Sequence, residues 1–122
     1  MIMVSKLVPL ILLLLVALAS VHIDSDKVRY GNINSFDASR NDRVAVVDSK
    51  EVYLHIPAYL QIIREGVEKG SARYAQLMVR ATNDYKRVLS KIGRSRYVLI
   101  VEKGGITDYP TTDATELCIK AL

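Results

Sequence analysis

Apolar residues are concentrated at the N-terminal end of the chain. Residues 7–21 contain no charged side chain, and Lys6 stands directly before them. An uninterrupted apolar run behind a basic residue is typical of a secretory signal peptide or a membrane anchor, because it leaves no polar face. Ala17-Leu18-Ala19 fits the small-x-small pattern that signal peptidase cuts. We therefore predict an N-terminal hydrophobic helix over residues 1–21, either cleaved near Ala19 or retained in the membrane.

Residues 22–43 show no apolar periodicity. Most of their side chains are charged or small and polar, and Gly31 interrupts them. This composition favours a flexible linker, because it offers little apolar surface to bury. We expect the segment to join the hydrophobic helix to one folded domain over residues 44–122.

The pattern of the predicted domain begins with a strand and a helix. Val44-Ala45-Val46-Val47 is a continuous apolar run, which predicts a strand buried on both faces. Asp48 and Glu51 have the spacing of a capping box, so a helix should begin there. The apolar face of that helix consists of Val52, Ile56, Tyr59 and Ile63. Pro57 lies inside the pattern, so the helix is either kinked there or restarts with Pro57 in its first turn.

A second helix follows a reversal rich in glycine and carries the most regular pattern in the chain. Its apolar seam runs over nearly three heptads and consists of Tyr74, Met78, Ala81, Tyr85, Val88 and Ile92. Gly93 predicts the end of this helix, because glycine readily adopts the left-handed conformation of a C-terminal stop. Each helix has one apolar stripe and the turn between them is short, so we predict an antiparallel helical hairpin.

Two apolar runs predict the remaining strands. Residues 97–101 are composed like a buried strand, and Lys103-Gly104-Gly105 should turn the chain into a third strand, Ile106 to Tyr109. Pro110 should close that strand.

A last helix should begin after the third strand, since Asp113 and Glu116 repeat the capping-box spacing. Leu117 and Ala121 would share its buried face. The expected fold class is α+β, in the order β-αα-β-β-α, with the helical hairpin inserted between the first and second strands and a hydrophobic helix in front.

Composition excludes several functional classes. The chain has 122 residues, of which 50% are apolar and 25% charged, so it forms one domain at most. A single cysteine, Cys118, excludes a disulfide scaffold and a cysteine-based zinc site. We expect Cys118 to pack beside Leu122, with an intermolecular disulfide as the alternative. His22 and His55 are the only histidines, and neither has a partner at ligand spacing. We predict no enzyme, no cofactor and no metal site.

Basic side chains are concentrated on one face of the second helix. The formal net charge is +4, and residues 73–96 hold seven basic side chains against Asp84 alone. Arginines recur there every seven residues, off the apolar seam, which predicts one solvent-facing stripe. Such a stripe is either a solvated face or a surface that binds anionic partners. The candidate binding residues are Arg73, Arg80, Arg87, Lys91 and Arg94.

Two kinds of anionic partner fit an exported domain: envelope or secretion-system proteins, and anionic lipid headgroups. Nucleic acid is not expected, because Tyr74 and Tyr85 belong to the apolar seam and are not free for base stacking. The domain has only 79 residues, from Val44 to Leu122, so its core is marginal for an isolated monomer. Its unpaired strand edges and free hairpin end favour binding to a partner. That partner can be another protein or a second copy of the chain.

The predicted domain opens with a Val-rich strand that runs into a lysine, residues 44–50. Its further features are Leu77, Arg80 and Asn83 on the second helix, the strand Val98–Val101, and Asp113 followed by Thr115. Together these features resemble the TrbI-type proteins of F-type conjugative transfer systems. The resemblance implies a periplasmic domain with one N-terminal span. It also implies a non-enzymatic component of a type IV secretion or pilus assembly apparatus that acts through protein–protein contacts.

A second resemblance uses partly the same residues. Residues 44–50 followed by Pro57, the strand region Tyr97–Lys103 and the C-terminal segment Asp113–Leu122 are similar to the OmpH/Skp-like periplasmic chaperones. That resemblance implies a holdase for unfolded outer-membrane proteins. Such chaperones have long helical arms, whereas a helix of about 20 residues spans only about 30 Å. We therefore rank this family second. Both families imply the same topology and a periplasmic location, either anchored by residues 7–21 or released after cleavage near Ala19.

Overall fold

The structure is a computed structural model that describes residues 21–122. The predicted hydrophobic helix, with its choice between cleavage and anchoring, lies outside the described residues apart from Val21. Within residues 21–122, no helix has both the length and the apolar character needed to cross a membrane. The strands are β1 (His22–Ile23), β2 (Val28–Tyr30), β3 (Val44–Val47), β4 (Leu99–Glu102), β5 (Ile106–Thr107) and β6 (Thr112–Asp113). The helices are α1 (Ser49–Tyr53), α2 (Pro57–Glu65), α3 (Ala72–Arg96) and α4 (Thr115–Lys120).

The fold class is α+β, as the sequence predicts. Four strands form the main sheet in the order β2-β4-β3-β6, and β1 pairs with β5 in a separate two-stranded sheet. β3 runs parallel to β4 and to β6, whereas β2 is antiparallel to β4. The parallel register places Val44 opposite Leu99 and Val47 opposite Glu102. The connection between β3 and β4 contains α1, α2 and α3, since parallel neighbours need a long crossover.

Side chains of the two central strands alternate between two cores. Ala45, Val47 and Ile100 pack with the helices in the larger core. Val44, Leu99 and Val101 form a smaller core on the other face of the sheet, where Ile23, Val28, Phe36, Ile106 and Tyr109 cover them. The continuous apolar run of β3 is explained by this arrangement, because a strand covered on both faces needs apolar residues at every position.

Residues 22–43, predicted as a flexible linker, instead form β1, β2 and three single 3₁₀ turns. The side chains of Asp24, Asn32 and Asp37 each accept a hydrogen bond from the backbone N–H two residues later, at 2.9 to 3.1 Å. Polar residues that suggested a linker therefore stabilise tight turns. The intervening apolar side chains are too widely spaced to show a period, yet they cover one face of the sheet.

The predicted β4–β5 hairpin does not form. β5 pairs with β1, and His22 lies opposite Thr107. β4 has no free edge for β5, because β2 and β3 occupy its two sides. The strand is also shorter than predicted, since Asp108 adopts a left-handed conformation with φ of 60°. β6 is an additional strand that the sequence pattern does not predict.

The helical region follows the sequence pattern more closely, except that Ile63, predicted on the apolar face of the first helix, is 52% exposed. Asp48 caps α1 by accepting a hydrogen bond from the N–H of Glu51 at 3.3 Å. The helix restarts at Pro57, which occupies the first turn of α2, as one of the two alternatives predicts. Helices α2 and α3 pack against each other across the turn at residues 66–71. Of the predicted seam, Ala81, Tyr85, Val88 and Ile92 are buried and Tyr74 and Met78 are partly buried, while Leu77 and Leu89 are buried as well.

The prediction that Gly93 ends the second helix is wrong. Helix α3 continues to Arg96, and Gly93 is buried within it. A Cβ atom at residue 93 would overlap the ring of Tyr30. The glycine is therefore needed for the close approach of β2 to α3, and the helix tolerates it.

Candidate functional site

The predicted basic stripe consists of Arg73, Arg80, Arg87 and Arg94 on α3. All four arginines are exposed, and the buried seam lies on the opposite side of the helix. Helix α3 has 25 residues and so extends for about 37 Å. A seven-residue spacing drifts by about 20° per step on a straight helix, so the stripe winds slowly around the exposed face.

The arginines of the basic stripe differ in the ion pairs that they form. Arg73 donates from Nη2 to both carboxylate oxygens of Glu65, at 2.7 and 2.9 Å. Arg87 contacts Asp84 on its own helix at 3.3 Å. Among residues 21–122, Arg80 has no carboxylate within ion-pair distance. Arg73 therefore helps to join α2 to α3, while the guanidinium of Arg80 is free of ion pairs within residues 21–122.

Lys91, the fifth predicted residue, is also exposed and has no ion pair among the described residues. It lies between Arg87 and Arg94 in the sequence. Arg94 donates from Nε to the backbone oxygen of Ser90 at 3.3 Å. The structure thus brings all five predicted residues to the surface of one helix.

Arg94 also belongs to a second basic feature that the sequence pattern does not predict. At the C-terminal end of α3, Arg43, Arg94 and Arg96 line an open groove of about 380 Å³, which we call the basal groove. The guanidinium of Arg43 lies over the ring of Tyr97, 5.2 Å from its centroid. Arg43 was assigned to the end of a linker, so nothing in the sequence placed it beside α3.

A polar cluster lies at the carboxyl ends of β3 and β4. The carboxylate of Glu102 accepts hydrogen bonds from the Ser49 N–H at 2.8 Å, from the Ser49 hydroxyl, and from Nε of Arg29 at 3.1 Å. The Ser49 hydroxyl also contacts the Tyr85 hydroxyl. This end of a parallel sheet is where α/β proteins commonly place ligands, and a surface groove of about 430 Å³ opens beside it.

Chemistry at this cluster is limited by its own hydrogen bonds. Burial raises the pKa of Tyr85 to about 12, the hydrogen bond with Ser49 lowers it, and the charge of Glu102 raises it further. Tyr85 is therefore neutral near pH 7 and cannot act as a base there. Ser49 has no histidine beside it, because His22 lies in β1 and His55 lies near Glu51 at 3.9 Å. The Ser49 hydroxyl is held by Glu102 and Tyr85, and these hydrogen bonds fix β4 to α1 and α3.

The sequence also makes predictions about metal sites and about Cys118. Within residues 21–122, no three side chains of His, Cys, Asp or Glu are grouped so as to hold a metal ion. Cys118 is fully buried in the larger core, where Leu122 also packs. Burial raises the pKa of its thiol to about 11. A disulfide to another chain would require this thiol to leave the core.

Comparisons with protein families, with curated proteins and with solved structures found no match. The functional proposal therefore depends on the chain's own residues and surfaces and on the resemblance stated from its sequence.

Proposed function

We propose that the chain is a non-enzymatic envelope component of a conjugative type IV secretion or pilus assembly apparatus. Its working surface is the basic stripe of α3, which contacts acidic surfaces of partner proteins. One observation carries the proposal: four arginines at heptad spacing are exposed along one face of a helix whose other face is buried.

Length and composition of the stripe suit a protein partner. From Arg73 to Arg94 the stripe covers 21 residue steps, or about 31 Å along the helix. Arginine is enriched at protein interfaces, where its planar group can form two hydrogen bonds with one carboxylate. A partner with an acidic helix or ridge would match this surface.

The apolar segment over residues 7–21 supports the envelope location, since it has the composition of a signal peptide or anchor. A retained segment would hold the domain at the periplasmic face of the inner membrane. A cleaved segment would release it into the periplasm.

The second candidate is an OmpH/Skp-like holdase. It is favoured by the exposed apolar side chains on the paired helices, Ile63 at 52% and Val79 at 60%. Unfolded outer-membrane proteins would contact such residues. However, α2 has only 9 residues and spans about 14 Å, so the two helices do not form a pair of long arms. The first proposal is therefore preferred.

Site-specific photo-crosslinking in the native host separates these candidates. A crosslinking amino acid is placed at residue 80 or 87, and the captured proteins are identified by mass spectrometry. Ala75 and Lys86 are the control positions, because both are exposed on α3 and project about 100° or more around the helix from Arg80 and Arg87. One recurrent secretion or pilus protein captured from residues 80 and 87 supports the proposal.

Capture of many different outer-membrane proteins would overturn it in favour of the holdase. Equal capture from residues 75 and 86 would overturn the assignment to the stripe. N-terminal sequencing after membrane fractionation supplies an independent readout, since an anchored protein keeps residues 7–21 and a released one starts at Ser20.

A further inference from the structure

The chain enters the described fold at the same end as the basal groove. His22 in β1 lies opposite Thr107, and Tyr109, two residues later, donates from its hydroxyl to the backbone oxygen of Asp42. The next residue, Arg43, accepts a backbone hydrogen bond from Val98 at 2.8 Å, directly after the end of α3. The start of β1 is therefore connected, through Thr107 and Tyr109, to the end of the domain where β3 starts and α3 ends.

Three arginines at this end lack an ionic partner. Arg43, Arg94 and Arg96 are exposed, and none has a carboxylate within ion-pair distance among residues 21–122. Asp42 also lines the groove, but it is paired with Arg40 at 3.1 Å and accepts the N–H of Asp37 at 2.9 Å. The groove therefore presents a concentration of positive charge that the rest of the fold does not neutralise.

Position along the chain indicates which anion would meet this charge. The uncharged apolar run of residues 7–21 directly precedes His22. When that run lies in a bilayer, the end of the domain that carries His22 is the end nearest the headgroups. Asp108 lines a neighbouring cleft of about 350 Å³ that also reaches Arg43, so Arg94 and Arg96 are the arginines found in the basal groove alone.

We propose that the basal groove binds the phosphate groups of anionic phospholipids in the membrane that residues 7–21 enter. Guanidinium groups match phosphate geometry, because they can donate two parallel hydrogen bonds to one phosphate. The basal groove gathers three guanidinium groups in one depression, whereas the basic stripe runs along the convex surface of one helix and is better suited to a protein. This inference rests on the part of the proposed function that keeps the domain at a membrane surface.

Lipid binding is tested with the purified full chain in neutral detergent micelles. Phosphatidylglycerol, phosphatidylcholine or inorganic phosphate is titrated in, and adducts are measured by native mass spectrometry. The wild-type chain should prefer phosphatidylglycerol. Replacing all three groove arginines, by Arg43→Gln, Arg94→Gln and Arg96→Gln, should weaken this binding by about a hundredfold, since each basic residue near an anionic surface contributes about fivefold.

A matched control removes the same charge at exposed positions outside the groove, by Lys50→Gln, Arg64→Gln and Lys69→Gln. It should leave lipid binding within about twofold of the wild type. Lysine in place of the three groove arginines should restore part of the binding, and a thermal melt of every variant verifies the fold.

Several results would overturn the inference. These are an equal loss in the matched control, equal binding of phosphatidylcholine, and inorganic phosphate binding as tightly as the lipid. Failure here is distinguishable from failure of the proposed function, because crosslinking from residues 80 and 87 reports on protein partners whether or not the groove binds lipid.

Discussion

The ring of Tyr30 occupies the space that a side chain at residue 93 would need. This contact joins the N-terminal segment to the longest helix, since Tyr30 ends β2 and Gly93 lies in the last turns of α3. Gly93→Ala should therefore destabilise the protein, although alanine in a helix is ordinarily about 1 kcal/mol better than glycine.

Overpacking of this kind costs about 1 to 3 kcal/mol. We expect the free energy of unfolding of the Gly93→Ala protein, measured with urea, to be about 1 kcal/mol lower than that of the wild type. This value is the cost of overpacking minus the gain in helix propensity. Adding Tyr30→Ala should make the alanine at residue 93 neutral or favourable, because the overlap is gone. Asn83→Ala, at an exposed position on α3, is the control and should not destabilise. A more stable Gly93→Ala protein would show that Tyr30 does not pack there.

Loss of the Glu102 carboxylate should be costly. The carboxylate accepts three hydrogen bonds, and Ser49 supplies two of them from a position 53 residues away. Glu102→Ala leaves the N–H of Ser49 and the guanidinium of Arg29 without this partner, which should lower the free energy of unfolding by about 2 kcal/mol.

Chemical denaturation of Glu102→Ala, Ser49→Ala and the double variant measures this network. The two single effects should sum to more than the double effect, because both remove the hydrogen bond between the Ser49 hydroxyl and the Glu102 carboxylate. Glu116→Ala is the control, since Glu116 is exposed on α4. Strictly additive effects would contradict the contact between Ser49 and Glu102.

Stability should fall at high pH because of Tyr85. Burial raises its pKa in the folded state to about 12, above the usual value of about 10. Between these values the unfolded state has lost the proton and the folded state keeps it, so unfolding becomes more favourable as pH rises. The expected loss from pH 9.5 to 12 is about 2 kcal/mol.

Denaturant midpoints measured across this range, at constant salt, test the effect. Tyr85→Phe should flatten the pH dependence, while lowering stability at pH 7 through loss of the contact with Ser49. Cys118 should begin to lower the stability at a lower pH than Tyr85 does. Burial raises the pKa of its thiol to about 11, above a usual value near 9. Cys118→Ala should remove that earlier part alone. An unchanged profile in Tyr85→Phe would show that Tyr85 is not the group involved.

Replacing Arg80 and Arg87 with glutamine should weaken partner binding and leave the melting temperature nearly unchanged. Both side chains are exposed, and the only ion pair they form among the described residues is the exposed contact of Arg87 with Asp84. Exposed pairs contribute about 0 to 1 kcal/mol. Differential scanning calorimetry and affinity capture of the partner provide the two measurements.

Lys50→Gln with Arg64→Gln is the charge-matched control for this double variant and should retain binding. A sharp drop in melting temperature without loss of binding would assign Arg80 and Arg87 to the fold. Arg73→Gln should differ from both, because it breaks the contact with Glu65 that joins α2 to α3.

Much of the helical region could be predicted from the sequence because its signals are local. The seam of α3, the cap at Asp48 and the restart at Pro57 depend on residues within one or two turns of each other. The exposed face of the basic stripe follows from the same periodicity. The role of Gly93 cannot be predicted from neighbouring residues. Glycine is needed there because the ring of Tyr30, which is distant in the sequence, occupies the space of a side chain.

Contacts between distant residues explain the other differences. β1 and β2 have only two and three residues, too few to show an alternating pattern. The pairing of Ser49 with Glu102 and the meeting of Arg43 with Arg94 and Arg96 depend on the parallel alignment of β3 and β4. That alignment could not be derived from either strand alone, because both are apolar at nearly every position.

β2 pairs with one edge of β4, so a shortened protein without β2 would leave that edge unpaired. A fragment beginning at Val44 would keep every element of the predicted domain, yet it would expose the backbone donors and acceptors of β4 along that edge. The apolar side chains of Leu99 and Val101 would lose part of their cover at the same time, because Ile23, Val28 and Phe36 precede residue 44. Open edges of this kind promote strand-to-strand self-association, so we expect such a fragment to precipitate where the chain from residue 21 stays in solution.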